Sequence, residues 1–193
     1  GEGDMFIGVT VPQVRKVVKK YLALPLTDIE YLLCSKEHEF RLAALLLLVA
    51  LFSKSTLQER AQIHALYLKR IAWVNNWDLV DSSAEYVVGA YLEGRSKQLL
   101  TTLARSKNLW ERRVAIMATF HDIKRGSYQE TFHIAHILLN DQHDLIHKAV
   151  GWMLREVGKR CGQVVEEEFL RQHYQAMPRT MLRYCIEKFS PVE

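Results

Sequence analysis

Apolar and polar residues follow one another along this chain with helical spacing, and strand-type alternation is nearly absent. The pattern predicts helices near 11–23, 27–34, 37–53, 56–72, 76–91, 96–104, 108–122, 128–140, 142–160, 163–175 and 178–189, with no sheet. Start signals recur: Thr27-x-x-Glu30, Thr56-x-x-Glu59, Asn108-x-x-Glu111 and Ser127-x-x-Glu130 each match a capping box or a near variant. Pro12 and Pro178 sit where a first turn tolerates proline, and Gly94, Gly126 and Gly162 fall where helices should stop. Short connections predict antiparallel neighbours, with 56–72/76–91, 96–104/108–122 and 128–140/142–160 repeating as pairs. The expected class is all-α, a right-handed α-solenoid of two-helix repeats, with residues 1–193 forming a single domain.

Composition narrows the setting. An apolar fraction of 49% and a charged fraction of 25% in 193 residues are globular values. A net charge of +4 and a pI near 8.9 permit nucleic-acid binding without demanding it. Cys34, Cys161 and Cys185 are widely spaced and form no C-x-x-C pair, which argues against a disulfide framework or zinc ribbon and for a reducing, cytoplasmic setting. The longest apolar run, Leu42 to Phe52, is too short to span a bilayer and reads as a buried helix. The chain opens inside a glycine-rich turn, Gly1-Glu-Gly-Asp4, without an initiator methionine, so further residues are expected before it.

The arrangement of charges is more informative than their sum. Arg41, Arg113, Lys148 and Arg183 occupy what look like equivalent early positions of successive second helices, and Asp81 falls in the same row. Spacings of 81 − 41 = 40, 113 − 81 = 32, 148 − 113 = 35 and 183 − 148 = 35 residues lie in the range of two-helix repeats. Small or apolar residues follow each cation, as in Lys148-Ala-Val-Gly151, and would let stacked helices approach closely. On the inner face of a right-handed stack these side chains would form a ladder along a concave basic surface. An acid in that row points to chemistry on a cation held against a polyanion.

With Asn76 as N-cap, Trp77 and Asp81 are i and i+4 on one face, whereas Asp78 serves the positive end of the helix dipole. The structural alternatives are an Asp81–Arg113 pair tying repeats together, and tryptophans that serve as core or staple residues. Trp73 lies in an apolar stretch and is assigned to the core. Trp152 follows Lys148 by one turn, and two tryptophans beside a carboxylate could embrace a cationic base or a sugar face. His133/His136 and His143/His147 have helical metal-site spacing, but nothing completes either pair in H-E-x-x-H fashion, and no metal site is expected. Neither a Gly-rich phosphate loop nor a G-x-S-x-G elbow is present.

Four segments, in order over nearly the whole chain, resemble a known family. They are Gly3-Asp-x-Phe6-x-Gly8-Val9-x-x-Pro12-x-x-Arg15, Asn75-Asn-Trp77-Asp-x-Val-Asp81, Trp110-x-x-Arg113-x-Ala-Ile116 and Lys148-Ala-x-Gly-Trp152-x-Leu-Arg155-Glu156. Together they resemble the DNA alkylation repair enzymes of AlkD type, monofunctional DNA glycosylases built from HEAT-like repeats. The resemblance implies excision of N3- and N7-alkylated purines without a cofactor. It also implies catalytic or substrate-site roles for Trp77, Asp81, Arg113 and Trp152, and helices before the first turn that are missing here. Asp81 is then expected to be the catalytic carboxylate, with Arg41, Lys148, Arg155 and Arg183 holding phosphates of duplex DNA. A monomer is expected, with no membrane partner, associated with the nucleoid when bound. A silent DNA-structure binder and a protein-interaction solenoid are the competing functions.

Overall fold

The computed structural model describes residues 3–190, so Gly1 and Glu2 of the glycine-rich turn lie outside the described residues. The chain divides into two compact units, Gly1–Tyr91 and Leu92–Glu193. The first contains α1 (Val11–Val18), α2 (Leu26–Leu33), α3 (His38–Lys54), α4 (Leu57–Lys69), a 3-10 turn (Ile71–Trp73), α5 (Trp77–Asp81) and a π-helical turn (Glu85–Gly89). The apolar run of the sequence becomes α3, which packs against α1, α2, α4, α5 and the π turn. Being covered on so many sides explains why it is apolar all round, with Leu42, Leu45, Leu46, Leu47, Leu48 and Phe52 buried.

The second unit contains α6 (Gln98–Ala104), α7 (Leu109–Ala118), α8 (Phe120–Ile123), α9 (Gln129–Leu138), α10 (Asp144–Cys161), α11 (Gln163–His173), α12 (Arg179–Cys185) and a 3-10 turn (Ile186–Lys188). Its centre is α10, which packs against α7, α8, α9, α11 and α12. Gly151 carries the close approach of α12: a Cβ there would lie 2.7 Å from Tyr184 Cβ and would collide with the Met181 carbonyl. Among the described residues there is no strand, only an isolated bridge between Met5 and Glu37. Nor is any described helix long and apolar enough to cross a membrane. The all-α class read from the sequence is the class of the structure.

Several expected helices are shortened or interrupted, those over 11–23, 56–72, 76–91, 108–122 and 178–189, and hydroxyl side chains explain two of the breaks. The helix expected over 76–91 ends at Asp81, where the buried Ser83 hydroxyl donates to the Leu79 carbonyl at 2.6 Å and competes with the backbone ladder before the π turn. The helix expected over 108–122 breaks at Thr119, whose buried hydroxyl donates to the Ile116 carbonyl at 2.7 Å. Of the capping signals, Thr56–Glu59 forms a full box and Asn108 accepts from the Trp110 amide. Thr27 instead lies inside α2, because Pro25, extended and lacking an N–H, starts that helix two residues earlier. The Ser127 hydroxyl turns to Gln129 and Tyr128 takes the N-cap. A box that the sequence reading omitted, Thr10 with Gln13, opens α1.

One buried acid links packing to pH. Glu166 on α11 lies against Gly158 of α10 and accepts the Cys185 thiol of α12 at 2.8 Å. Burial lifts its carboxyl to about 7, although the thiol bond and the Arg155 charge pull the other way. Because the folded value is raised, its stabilising contribution is complete below the ordinary value of 4.5 and is lost as pH rises through 7. Glu166→Gln is therefore expected to remove a wild-type loss on the order of 3 kcal/mol between pH 4.5 and 8. Thermal unfolding of both proteins across that range checks it, and parallel curves would refute it.

Candidate active site

The Trp77–Asp81 helix is only five residues long, too short to be stable by itself, so its orientation comes from its surroundings. Asn76 caps it, accepting from the Trp77 amide at 2.8 Å, and the Asn76 amide group donates to Asp4 at 2.8 Å. Asp78 accepts from the Leu79 amide and, through its second oxygen, meets His38 Nε2 at 2.8 Å. His38 Nδ1 in turn meets Asp4 at 3.1 Å, and Arg41 donates to the other Asp4 oxygen at 2.5 Å. Burial alone would raise the Asp4 carboxyl, but groups including Asn76 and Arg41 hold it below the ordinary carboxylate range. Within the helix, Leu79 and Val80 are fully buried.

The same first turn of α3 grips the N-terminal segment. Glu39, buried, accepts from the amides of Ile7, Gly8 and Val9 at 3.1, 2.9 and 3.3 Å. Gly8 has φ of +83°, a left-handed conformation that presents its amide to this carboxylate at no steric cost. Burial raises the Glu39 carboxyl, and those amides more than reverse the effect, leaving it lowered. The Gly3-Asp-x-Phe6-x-Gly8 motif is thus a clasp between the N-terminal turn, α3 and α5.

On this platform Trp77 is 54% exposed, which sets aside the core or staple role that a tryptophan at a helix start usually has. Asp81, one turn on, is half-buried at the end of α5. Its charge reaches the buried Tyr67 hydroxyl, 3.1 Å from Ser83: burial pushes that phenol up and Asp81 adds to the effect. Trp73, assigned to the core by sequence, is half-buried in the 3-10 turn.

The second unit carries the remaining candidates. Lys148, Trp152 and Arg155 follow at i, i+4 and i+7 along one face of α10, all partly exposed. Lys148 pairs with Asp144 at 2.6 Å, Arg155 pairs with Glu187, and Trp152 lies 6.2 Å from Phe120 between ring centroids. Arg113 is 5% exposed and donates to the Leu145 carbonyl in the first turn of α10. Arg183 is exposed, its guanidinium over the Tyr184 ring at 5.7 Å.

Arg41 corrects the row of cations. Asp81, Arg113, Lys148 and Arg183 are each fifth in their helices, but Arg41 is fourth in α3. One residue is about 100° of helix rotation. That turns Arg41, 2% exposed, inward to the Ser35 and Lys36 carbonyls at 2.9 Å each and to Asp4. Its counterpart is Arg112, fourth in α7, which donates to the Ser106 and Lys107 carbonyls, again six and five residues back, and to Asp141. His147, fourth in α10, meets the Asp141 carbonyl six residues back at 2.6 Å. These fourth positions clamp the preceding turn, so Arg41 is not placed to meet a phosphate. The recurrent Arg, Arg and His at this position were the available signal.

The other histidines have local partners. His133 meets Thr101 at 3.0 Å, His143 accepts from the Leu145 amide, and the His136 ring faces that of His173 at 5.2 Å.

Comparison with known proteins places this geometry in context. The sequence matches, over residues 1–189, the model of a family described as DNA alkylation repair enzyme. A solved structure of a predicted DNA alkylation repair enzyme from Enterococcus faecalis shares the fold, with a TM-score of 0.75, 19% identity, and coverage of 98% of this chain and 91% of that one. The crystal structure of smu.31 from Streptococcus mutans UA159 is similar with a TM-score of 0.60 and 16% identity, over 92% of this chain and 91% of that one. No curated protein matches the sequence.

Proposed function

Because the chain belongs to the DNA alkylation repair enzyme family, we propose that it is a monofunctional glycosylase that hydrolyses the N-glycosidic bond of N3- and N7-alkylated purines in duplex DNA. The observation that carries this reading is Trp77, more than half exposed, one turn from Asp81 on a short helix held by Asn76 and Asp78. An exposed indole one turn from a carboxylate offers a flat aromatic face beside a negative charge, which suits a cationic base or a sugar face.

The chemistry needs little more. An alkylated purine is already cationic, so when its bond to C1′ breaks, the bonding electron pair neutralises the departing base and no general acid is required. Asp81 stabilises the oxocarbenium-like sugar and orients a water, which adds to C1′ and gives its proton to the Asp81 carboxylate, from which it passes to solvent. Trp77 packs on the lesion nucleotide, and Trp152 offers a partly exposed indole on the second unit. Arg113 supplies a fixed charge from its bond to Leu145. Lys148, Arg155 and Arg183 take phosphates, Lys148 and Arg155 by exchanging their Asp144 and Glu187 partners for DNA oxygens. No lysine nucleophile is invoked, so strand cleavage should not follow.

The test is release of 7-methylguanine or 3-methyladenine from methylated duplex DNA, followed by chromatography, with the strands examined on a denaturing gel. Free base with intact abasic strands is expected. Tight, salt-dependent binding without base release would leave a DNA-structure binder instead, and no binding at all a protein-interaction solenoid. Arg183→Ala is expected to lower the slope of log affinity against log salt by about one, uniformly across sequences. An unchanged slope removes Arg183 from the DNA contacts.

A further inference from the structure

We propose that Asp4 and His38 are positioning residues for α5, a chain of hydrogen bonds that fixes the angle at which Trp77 and Asp81 are presented. The idea rests on the glycosylase reading for its catalytic consequence, but its structural part stands independently. A five-residue helix followed at once by a hydroxyl-broken turn and a π turn has almost no internal resistance to rotation or fraying. Burial of Leu79 and Val80 anchors one side of it. Its opposite constraint is polar: Asp4 receives the Asn76 amide group, and His38 bridges from Asp4 at 3.1 Å to Asp78 at 2.8 Å.

His38 suits this task better than a generic core residue would. It is 3% exposed and stands at the first position of the long buried α3, its backbone amide donating to the Met5 carbonyl at 2.7 Å, so the ring has a rigid base. The Phe6 ring packs on it with centroids 4.8 Å apart, which limits ring rotation. Both ring nitrogens face carboxylates, one from the N-terminal turn and one from the first turn of α5. Neither carboxylate lies on α3, so the imidazole transmits the position of α3 to two other segments. Asp78 thereby acquires more than a dipole role: it is the attachment point that sets the helix carrying Trp77 and Asp81. In catalysis a displacement of about 1 Å in such a platform can cost on the order of 100-fold in rate.

The experiment compares wild type with His38→Ala, His38→Gln and the milder Asp78→Ala, the last at a partly exposed position. Hydrogen exchange of the Val80 and Ser82 amides, which bond to Asn76 and Asp78 carbonyls, reads the platform directly. These two amides are expected to exchange about 10-fold faster or more in His38→Ala and Asp78→Ala, while amides in the middle of α3 keep their protection. Single-turnover base release at saturating enzyme should fall about 10- to 100-fold with the dissociation constant for DNA within about threefold. His38→Gln, which restores one donor, should recover part of both. Unchanged α5 exchange overturns the proposal, as does loss spread evenly over α3 and α5, which would mean general destabilisation. Were wild type to release no base, the glycosylase reading would fail while hydrogen exchange still decided the positioning role.

Discussion

Asp81→Asn is expected to lower single-turnover release of 7-methylguanine by about 10²- to 10⁴-fold while leaving affinity for duplex DNA equal or improved. The amide has the size of the carboxylate and keeps an acceptor oxygen, so the seating of α5 through its buried Leu79 and Val80 changes little. What disappears is the negative charge, which opposes the positive charge growing on the sugar as the base departs. The same charge repels phosphates in the ground state, so its loss should not weaken binding and removes an unfavourable term. Rate and affinity therefore move apart. Normal excision by Asp81→Asn would sink the catalytic assignment. Equal loss of rate and affinity would mean that Asp81 holds the structure of the DNA-binding surface, not the chemistry.

How much of this was legible in the sequence depends on the length scale of the physics. The buried character of α3 followed from an unbroken apolar run, and the stop signals at Gly94, Gly126 and Gly162 from glycine's access to the left-handed region each of them adopts. The breaks at Ser83 and Thr119 were not legible, because a buried hydroxyl that bonds a carbonyl three or four residues back looks in sequence like any mid-helix serine or threonine. At the candidate site, the Trp77–Asp81 spacing was visible because helical geometry is local. The Asp4–His38–Asp78 connections span 34 and 40 residues, and no periodicity announces them. Arg41 shows the cost of a one-residue error: repeat spacing alone tolerated it, but helix rotation did not.

Arg41→Ala is expected to cost about 3–5 kcal/mol of stability, a fall in melting temperature of about 10 °C or more, without changing the salt slope of DNA binding. Its guanidinium joins three things inside the protein: the Ser35 and Lys36 carbonyls at the end of the turn before α3, and Asp4. Both side chains of the Arg41–Asp4 pair are 2% exposed. Removing the cation takes from the buried Asp4 carboxylate its guanidinium partner and leaves two carbonyls without their donor, while His38 and Asn76 remain on Asp4; breaking a buried pair from one side costs more than the net worth of the pair. Asp4 also holds Asn76 and His38, so the damage should spread to α5 and lower base release along with stability. Asp4→Asn combined with Arg41→Met should destabilise less than the sum of the single changes, since the pair then leaves no lone charge behind. A phosphate-binding Arg41 would give the reverse pattern, near-normal melting with a salt slope reduced by about one. Thermal unfolding and salt titrations of the same preparations separate the two, and the reverse pattern would restore Arg41 to the row of DNA-contacting cations.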